Sequence, residues 1–292
     1  MLYLEEFVFA AIDEDEDFRN FVKRTCYPSF YPFGILEWKL GYRETVRDPK
    51  FSVVFEPITI FHGGNGCGKT TALNVIAEKI GAERDTLYNR TGFFDDYLKL
   101  CRCRTGAKTK NKRIITSDDV FDFMLNLRSL NEGLDYRREE LFSDYLDAKY
   151  SSERITSLED YDRLKKTAEA RRRTQSRYIR ENMMENAPEH SNGESAFIFF
   201  TQKMRDKGLY LLDEPENSLS PARQMELAEF LENSARFYGC QIIMATHSPF
   251  MLSIKGAKIY DLDEAPACVK PWQKLPDIRT CFDFFMDHRG EF

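Results

Sequence analysis

Ile58-Thr59-Ile60-Phe61-His62-Gly63-Gly64-Asn65-Gly66-Cys67-Gly68-Lys69-Thr70-Thr71-Ala72-Leu73 is the stretch whose reading decides the fold. Ile58 to Phe61 is rich in β-branched and aromatic residues and runs straight into a glycine-rich turn. Leu73, Ile76, Ala77 and Ile80 then recur at helical spacing, and Gly81 is a natural C-terminal stop. Gly63 to Thr70 fits G-x-x-x-x-G-K-[ST], and its setting between a strand and a helix is what that motif requires. The glycines let backbone N–H groups wrap around phosphate oxygens as an anion nest. Lys69 reaches the β- and γ-phosphates, and the Thr70 hydroxyl is placed to ligate Mg²⁺. The expected nucleotide contacts are Gly63, Asn65, Gly66, Gly68, Lys69, Thr70 and Thr71, with the helix N-terminus adding partial positive charge.

A second apolar run, Leu209-Tyr210-Leu211-Leu212, suits a buried parallel strand and ends in Asp213-Glu214-Pro215-Glu216. Adjacent carboxylates at a strand's carboxyl end, where open α/β sheets bind ligands, are costly unless a cation or substrate uses them. Asp213 is expected to hold Mg²⁺ and Glu214 to act as general base on water. Ser220-Pro221 reads as a cap and first helical residue, and Leu227, Phe230 and Leu231 give that helix an apolar face. Gln241 to Thr246 is a further buried strand, and His247 after it is placed for a γ-phosphate contact.

Ser191-Asn192-Gly193-Glu194-Ser195 lies upstream of the acidic strand, with Ala196, Phe197, Phe200 and Met204 marking a helix that Gly208 ends. In this order, the four motifs resemble those of ATP-binding-cassette (ABC) ATPases. The match is nearer to small soluble bacterial "AAA family" or "predicted ATPase" proteins, akin to chromosome-maintenance, RecF-like and OLD-like heads. It covers roughly residues 51–82 and 188–265. The resemblance implies MgATP as ligand and a head-to-tail homodimer, in which Ser191 and Gly193 of one chain bind the γ-phosphate held by the other. Two departures stand out. The only Gln between the phosphate loop and the signature is Gln175, too near the signature to be the family's Mg²⁺-sensing Gln, and the strand-like Arg113 to Asp118 points to Ser117 or Asp118 as its substitute. Where the loop after the acidic pair usually ends in Asp, this chain has Ser220.

The 292 residues, 42% hydrophobic and 31% charged, describe a soluble globular chain. No apolar run approaches the roughly 20 residues that span a bilayer, and the N-terminus lacks a signal-peptide layout. The seven cysteines have no metal-ligand spacing and read as reduced cytoplasmic thiols. A net charge of −6 argues against a surface that binds nucleic acid everywhere. Two basic stretches interrupt it: Tyr97 to Ser117, with Lys99, Arg102, Arg104, Lys108, Lys110, Lys112 and Arg113, and Arg163 to Arg180, with Arg171-Arg172-Arg173. A nucleic-acid phosphate contact is one reading. The favoured one is a solvated loop and helix face, pairing with the acidic run Asp13 to Asp17.

The expected fold is thus an α/β P-loop NTPase of the ABC-head type. A single domain, 1–292, comprises a β-rich N-terminal lobe with the phosphate loop (1–90), a variable and mostly helical insertion (91–187), and the signature, acidic strand, His247 and a last strand (188–292). Leu134 to Met184 reads as helical without sustained heptads, which favours a compact insertion over a coiled-coil arm. The expected activity is ATP hydrolysis driving a conformational switch, in DNA repair or phage defence, with a protein partner the sequence does not name. The alternatives are an ATP-gated dimerising module with slow hydrolysis and a transporter-type cassette.

Overall fold

The computed structural model describes residues 2–10, 32–40, 52–150, 192–204 and 207–292. The Asp13 to Asp17 run, the Arg163 to Arg180 stretch, Gln175 and Ser191 lie outside the described residues. Two units are distinguished, one formed by Met1–Val120 with Asn192–Phe292 and the other by Phe121–Ser191.

The first unit carries both sheets. Strands β1 (Leu4–Val8), β2 (Val53–Val54) and β4 (Arg102–Thr105) form an antiparallel sheet in the order β2-β1-β4. The core sheet has the order β5-β6-β7-β3-β8-β9, built from β3 (Ile58–His62), β5 (Lys112–Thr116), β6 (Leu209–Asp213), β7 (Gln241–Ala245), β8 (Lys258–Asp261) and β9 (Cys268–Val269). Its first five strands are mutually parallel, and β9 runs antiparallel to β8. Every residue of β3, β6 and β7 is buried. This explains why those strands read as continuous apolar runs rather than alternating ones. The α/β class with a mainly parallel core sheet is as expected.

The helices are α1 (Phe33–Leu40), α2 (Lys69–Ile80), α3 (Phe94–Leu100), α4 (Ser117–Tyr150), α5 (Asn192–Lys203), α6 (Pro221–Phe237), α7 (Pro249–Leu252) and α8 (Pro276–Asp287). Gly81 ends α2 in the left-handed conformation, and its N–H bonds back to Glu78. Ser220 caps α6, with Pro221 in the first turn, as the sequence indicated. Helix α4 differs in extent, starting at Ser117 rather than Leu134 and running 34 residues, about 51 Å. Residues 94–116 supply α3, β4 and β5 to the first unit. After β8, which the sequence reading took as the last strand, the chain forms β9 and α8. No helix among the described residues is long and apolar enough to cross a membrane.

A fully buried amide, Gln241, joins the two sheets, beside the bonds that Val54 of β2 makes with Tyr260 and Lys258 of β8. The Gln241 Oε1 accepts from the N–H groups of Tyr3 (2.7 Å) and Leu4 (2.9 Å), and its Nε2 donates to the Leu4 carbonyl (2.7 Å). Gln241→Leu keeps the volume but leaves these backbone groups without partners. A loss of stability of about 2–4 kcal/mol is expected, read as a lower urea midpoint with unchanged slope. An unchanged midpoint would show that the two sheets do not depend on this amide.

Candidate functional site

The parallel registers bring five strand ends into one row. Thr116 lies beside Asp213, Asp213 beside Ala245, Ala245 beside Phe61, and Phe61 beside Tyr260. The groups immediately beyond that row, from sequence segments far apart, therefore converge at the carboxyl edge of the sheet.

The phosphate loop starts there. Gly63 and Gly68 both have positive φ, 149° and 103°. A Cβ on Gly68 would come within 2.6 Å of Ile35 Cγ2 on α1, and one on Gly63 within 2.8 Å of Cys67 Sγ. Both glycines are thus required by conformation and by space. Asp263, two residues beyond β8, pins the loop from the other side, its carboxylate accepting from the Gly64 N–H at 2.8 and 3.0 Å. Lys69 is buried, and its ammonium donates to the carbonyls of Gly63 (2.8 Å) and Gly64 (3.2 Å). Those are weak neutral acceptors that an anionic phosphate would outcompete. Asn65 and Gly66 are exposed at the tip, whereas Thr71 is buried.

Thr70 is exposed and donates its hydroxyl to Asp213 Oδ1 at 3.0 Å. Asp213 is 8% exposed, and its carboxyl is pushed up to about 7, first by burial and then by the nearby Glu214 and Glu216 carboxylates, with Thr70 and Lys69 pulling the other way. A buried acid held near neutrality beside a hydroxyl oxygen lacks only positive charge. These oxygen donors fit a hard divalent cation such as Mg²⁺.

Glu214 turns the chain sharply at the end of β6. It has φ +48°, a left-handed conformation that costs a non-glycine residue about 1 kcal/mol or more. Its N–H bonds to the Ala245 carbonyl (2.9 Å), and its Oε2 accepts from the Asn217 amide (3.1 Å). Oε1 then lies 3.7 Å from His247 Nε2. Burial, followed by the Lys69 ammonium, pushes the His247 imidazolium pKa down, so the ring is neutral at neutral pH.

Glu216 holds the histidine loop. One oxygen, Oε1, accepts from Thr246 Oγ1 (2.6 Å), His247 N–H (2.7 Å) and Ser248 N–H (3.1 Å). Ser248 also donates its hydroxyl to Gln224 on α6 (2.6 Å) and caps α7. The sequence reading did not assign Glu216, Gln224, Asn217 or Asp263 to the site. Only the third acid of Asp-Glu-Pro-Glu was visible as a signal.

The strand after Arg113 does end beside the acidic pair, but Thr116 is the residue in register with Asp213. Ser117 and Asp118 open α4, and Asp118 is exposed. Asp119 accepts from the Thr116 N–H (2.7 Å) and hydroxyl (3.0 Å), turning the chain from strand to helix. Gly193 lies in the first turn of α5, and its neighbour Glu194 pairs with Arg223 of α6 at 3.0 Å.

Three of the seven cations in the basic stretch at Tyr97 to Ser117 are paired with acids within the fold. Arg104 meets Glu5 and Glu6, Arg113 meets Glu83 and Asp85, and Lys99 meets Asp96. Lys112 donates to the Ile80 carbonyl at the end of α2. Arg102, Lys108 and Lys110 are exposed.

Residues 119–253 match a family model described as "AAA domain, putative AbiEii toxin, Type IV TA system". No curated protein matches the chain. Similar solved structures include the SMC head domain from Thermotoga maritima, at 11% identity and TM-score 0.36 over 75% of this chain and 92% of that one. Another is the Smc head domain with an extended coiled coil bound to the C-terminal domain of ScpA, from Pyrococcus furiosus (12% identity, TM-score 0.41, 99% and 100%). A third is a putative metal-chelate type ABC transporter (18% identity, TM-score 0.36, 79% of each chain). The matched stretch takes in the acidic strand and His247, whereas the phosphate loop at residues 63–70 precedes it, so this part of the chain is similar to an AAA domain.

The raised Asp213 carboxyl has a testable consequence in metal-free, nucleotide-free protein. Between its unfolded value near 3.8 and about 7, the folded chain keeps a proton that the unfolded chain has lost. Its stabilising contribution is therefore full below about pH 4 and is lost as pH rises to about 7. Asp213→Asn removes this loss. In chelator, the variant's urea midpoint is expected to exceed the wild type's increasingly from pH 4 to pH 8. A wild type more stable than the variant at pH 8 would show that Lys69 already compensates the charge.

Proposed function

We propose that the protein hydrolyses MgATP at composite sites of a head-to-tail homodimer and uses the cycle as a conformational switch. The observation that carries this reading is the meeting of Lys69 and Thr70 with Asp213, Glu214 and His247 at one sheet edge. The loop N–H groups, Lys69 and the α2 N-terminus bind the phosphates. Thr70 and Asp213 would hold Mg²⁺, which when bound neutralises phosphate charge. Glu214 takes the proton from the attacking water. With Oε2 engaged by Asn217, its Oε1 is the basic atom, on the side that faces His247. Neutral His247 donates to the γ-phosphate, and Glu216 keeps its loop in place. The products are ADP and phosphate.

Completion of the site by a second chain rests on Ser191 and Gly193, with Gly193 at the N-terminal turn of α5. Glu194–Arg223 ties that turn to the helix following the acidic loop, a path along which closure of one chain reaches the other's acid–histidine pair. The ion pairs of Lys99, Arg104 and Arg113 favour a solvated surface there over a nucleic-acid grip, with Arg102, Lys108 and Lys110 left exposed. The matched family's description as a toxin of a Type IV TA system supports, of the roles considered, defence rather than repair. On this reading the unidentified partner is a protein.

Glu214→Gln preserves shape and loses the base. Turnover is expected to fall roughly 10²–10⁴-fold while MgATP binding persists, with an ATP-bound dimer accumulating in size-exclusion chromatography. Unchanged turnover would remove Glu214 from the mechanism.

The shared site is tested by complementation. Lys69→Ala lacks the phosphate cation, and Ser191→Arg blocks the seam between chains. Each alone is expected to be nearly inactive, and their mixture to regain part of the hydrolysis through one intact composite site. Full activity of Ser191→Arg as a monomer at all concentrations would overturn the dimer mechanism.

A further inference from the structure

His62 ends β3 directly before the phosphate loop, and its side chain is completely buried. Neither ring nitrogen has a hydrogen-bond partner among the described residues. Nε2 lies 3.1 Å from Oδ2 of Asp277, within ion-pair distance. Asp277 sits in the first turn of α8 and is about half exposed. The His62 ring also stands edge-to-face with His247, the centroids 6.3 Å apart and the planes at 74°. Successive close approaches thus link Asp277, His62, His247 and Glu214, from the C-terminal helix to the acid at the end of β6.

A buried imidazole without hydrogen bonds costs free energy that an apolar side chain of similar size would not. The rest of β3 is Ile58, Thr59, Ile60 and Phe61, so His62 is its one ionisable side chain. Packing therefore does not account for this choice of residue. The position does, since the ring meets both a carboxylate and a site histidine.

We propose that His62 is a positioning residue for His247 and that Asp277 sets it, so that α8 is coupled to the γ-phosphate end of the site. The Asp277 carboxylate favours the tautomer with hydrogen on Nε2 and draws that edge toward α8. This fixes the plane of the His62 ring. Packed edge-to-face, that ring restricts rotation of the His247 imidazole, keeping Nε2 on the Glu214 side. Small movements of α8 then change the aim of His247 without changing the phosphate loop. The kinetic consequence rests on the hydrolase reading, whereas the structural link does not.

The test uses the full chain, whose four histidines make ring-nitrogen NMR assignable by single substitutions. Asp277→Asn is expected to shift the ring ¹⁵N resonances of both His62 and His247 and to leave His190 and His288 in place. In hydrolysis assays it is expected to lower kcat about tenfold, the scale known for groups that orient metal-bound histidines, with MgATP affinity held within about twofold. Asp277→Glu, which keeps the carboxylate, is expected to recover most of the rate. In a His247→Ala background, Asp277→Asn is expected to add nothing, whereas a merely structural role would lower both backgrounds alike. Unmoved His247 resonances, or equal losses in the two backgrounds, would overturn the proposal. Coupled His62 and His247 shifts in a protein without ATP turnover would uphold the link and reject the hydrolase reading.

Discussion

The site depends on the parallel register of three buried strands. With Phe61, Ala245 and Asp213 in one row, the phosphate loop, the histidine loop and the acidic pair must leave the sheet side by side. Parallel pairing demands long crossovers, so groups that act together are necessarily far apart in the chain. A slip of one residue in β6 would turn Asp213 from its partner Thr70 to the opposite face of the sheet. The complete burial of β3, β6 and β7 is what makes such a slip costly.

Charge inside this frame is balanced locally and incompletely. Lys69 spends its ammonium on two glycine carbonyls, and Asp213 has a single hydroxyl donor, so the carboxyl stays protonated toward neutral pH. Both groups are prepared for a ligand of opposite charge. Glu214 is strained in backbone conformation, whereas Glu216, two residues on, is saturated on one oxygen. Adjacent acids of the same motif thus divide the work. One is kept available, and the other gives its bonding capacity to holding the histidine loop.

Side-chain amides and carboxylates act as staples elsewhere too. Gln241 joins the two sheets of the first unit, and Asp263 ties the phosphate loop to the end of β8. Gln241 satisfies backbone groups that would otherwise be buried without partners, and Asp263 holds the more exposed Gly64 N–H, so each fixes orientation.

The sequence by itself determined whatever depends on near neighbours. The strand–loop–helix at Ile58 to Ile80, the cap at Ser220, the stop at Gly81 and the acidic strand are written in residue types a few positions apart, because helical hydrogen bonds and turn conformations span four or five residues. The tertiary structure alone decided the rest. Glu216 meets His247 across 31 residues, Gln241 meets Leu4 across 237, and His62 meets Asp277 only once β3 and α8 are placed. Helix α8 does carry apolar residues at helical spacing, Ile278, Cys281, Phe282, Phe285 and Met286, but the sequence alone does not tell that it packs Asp277 beside His62. Thr116 escaped because its importance is a register with Asp213, and pairing between strands leaves no mark on either strand alone. Local chemistry is set by covalent proximity, whereas partnership between distant side chains is set by how the sheet aligns, and that alignment belongs to the whole chain.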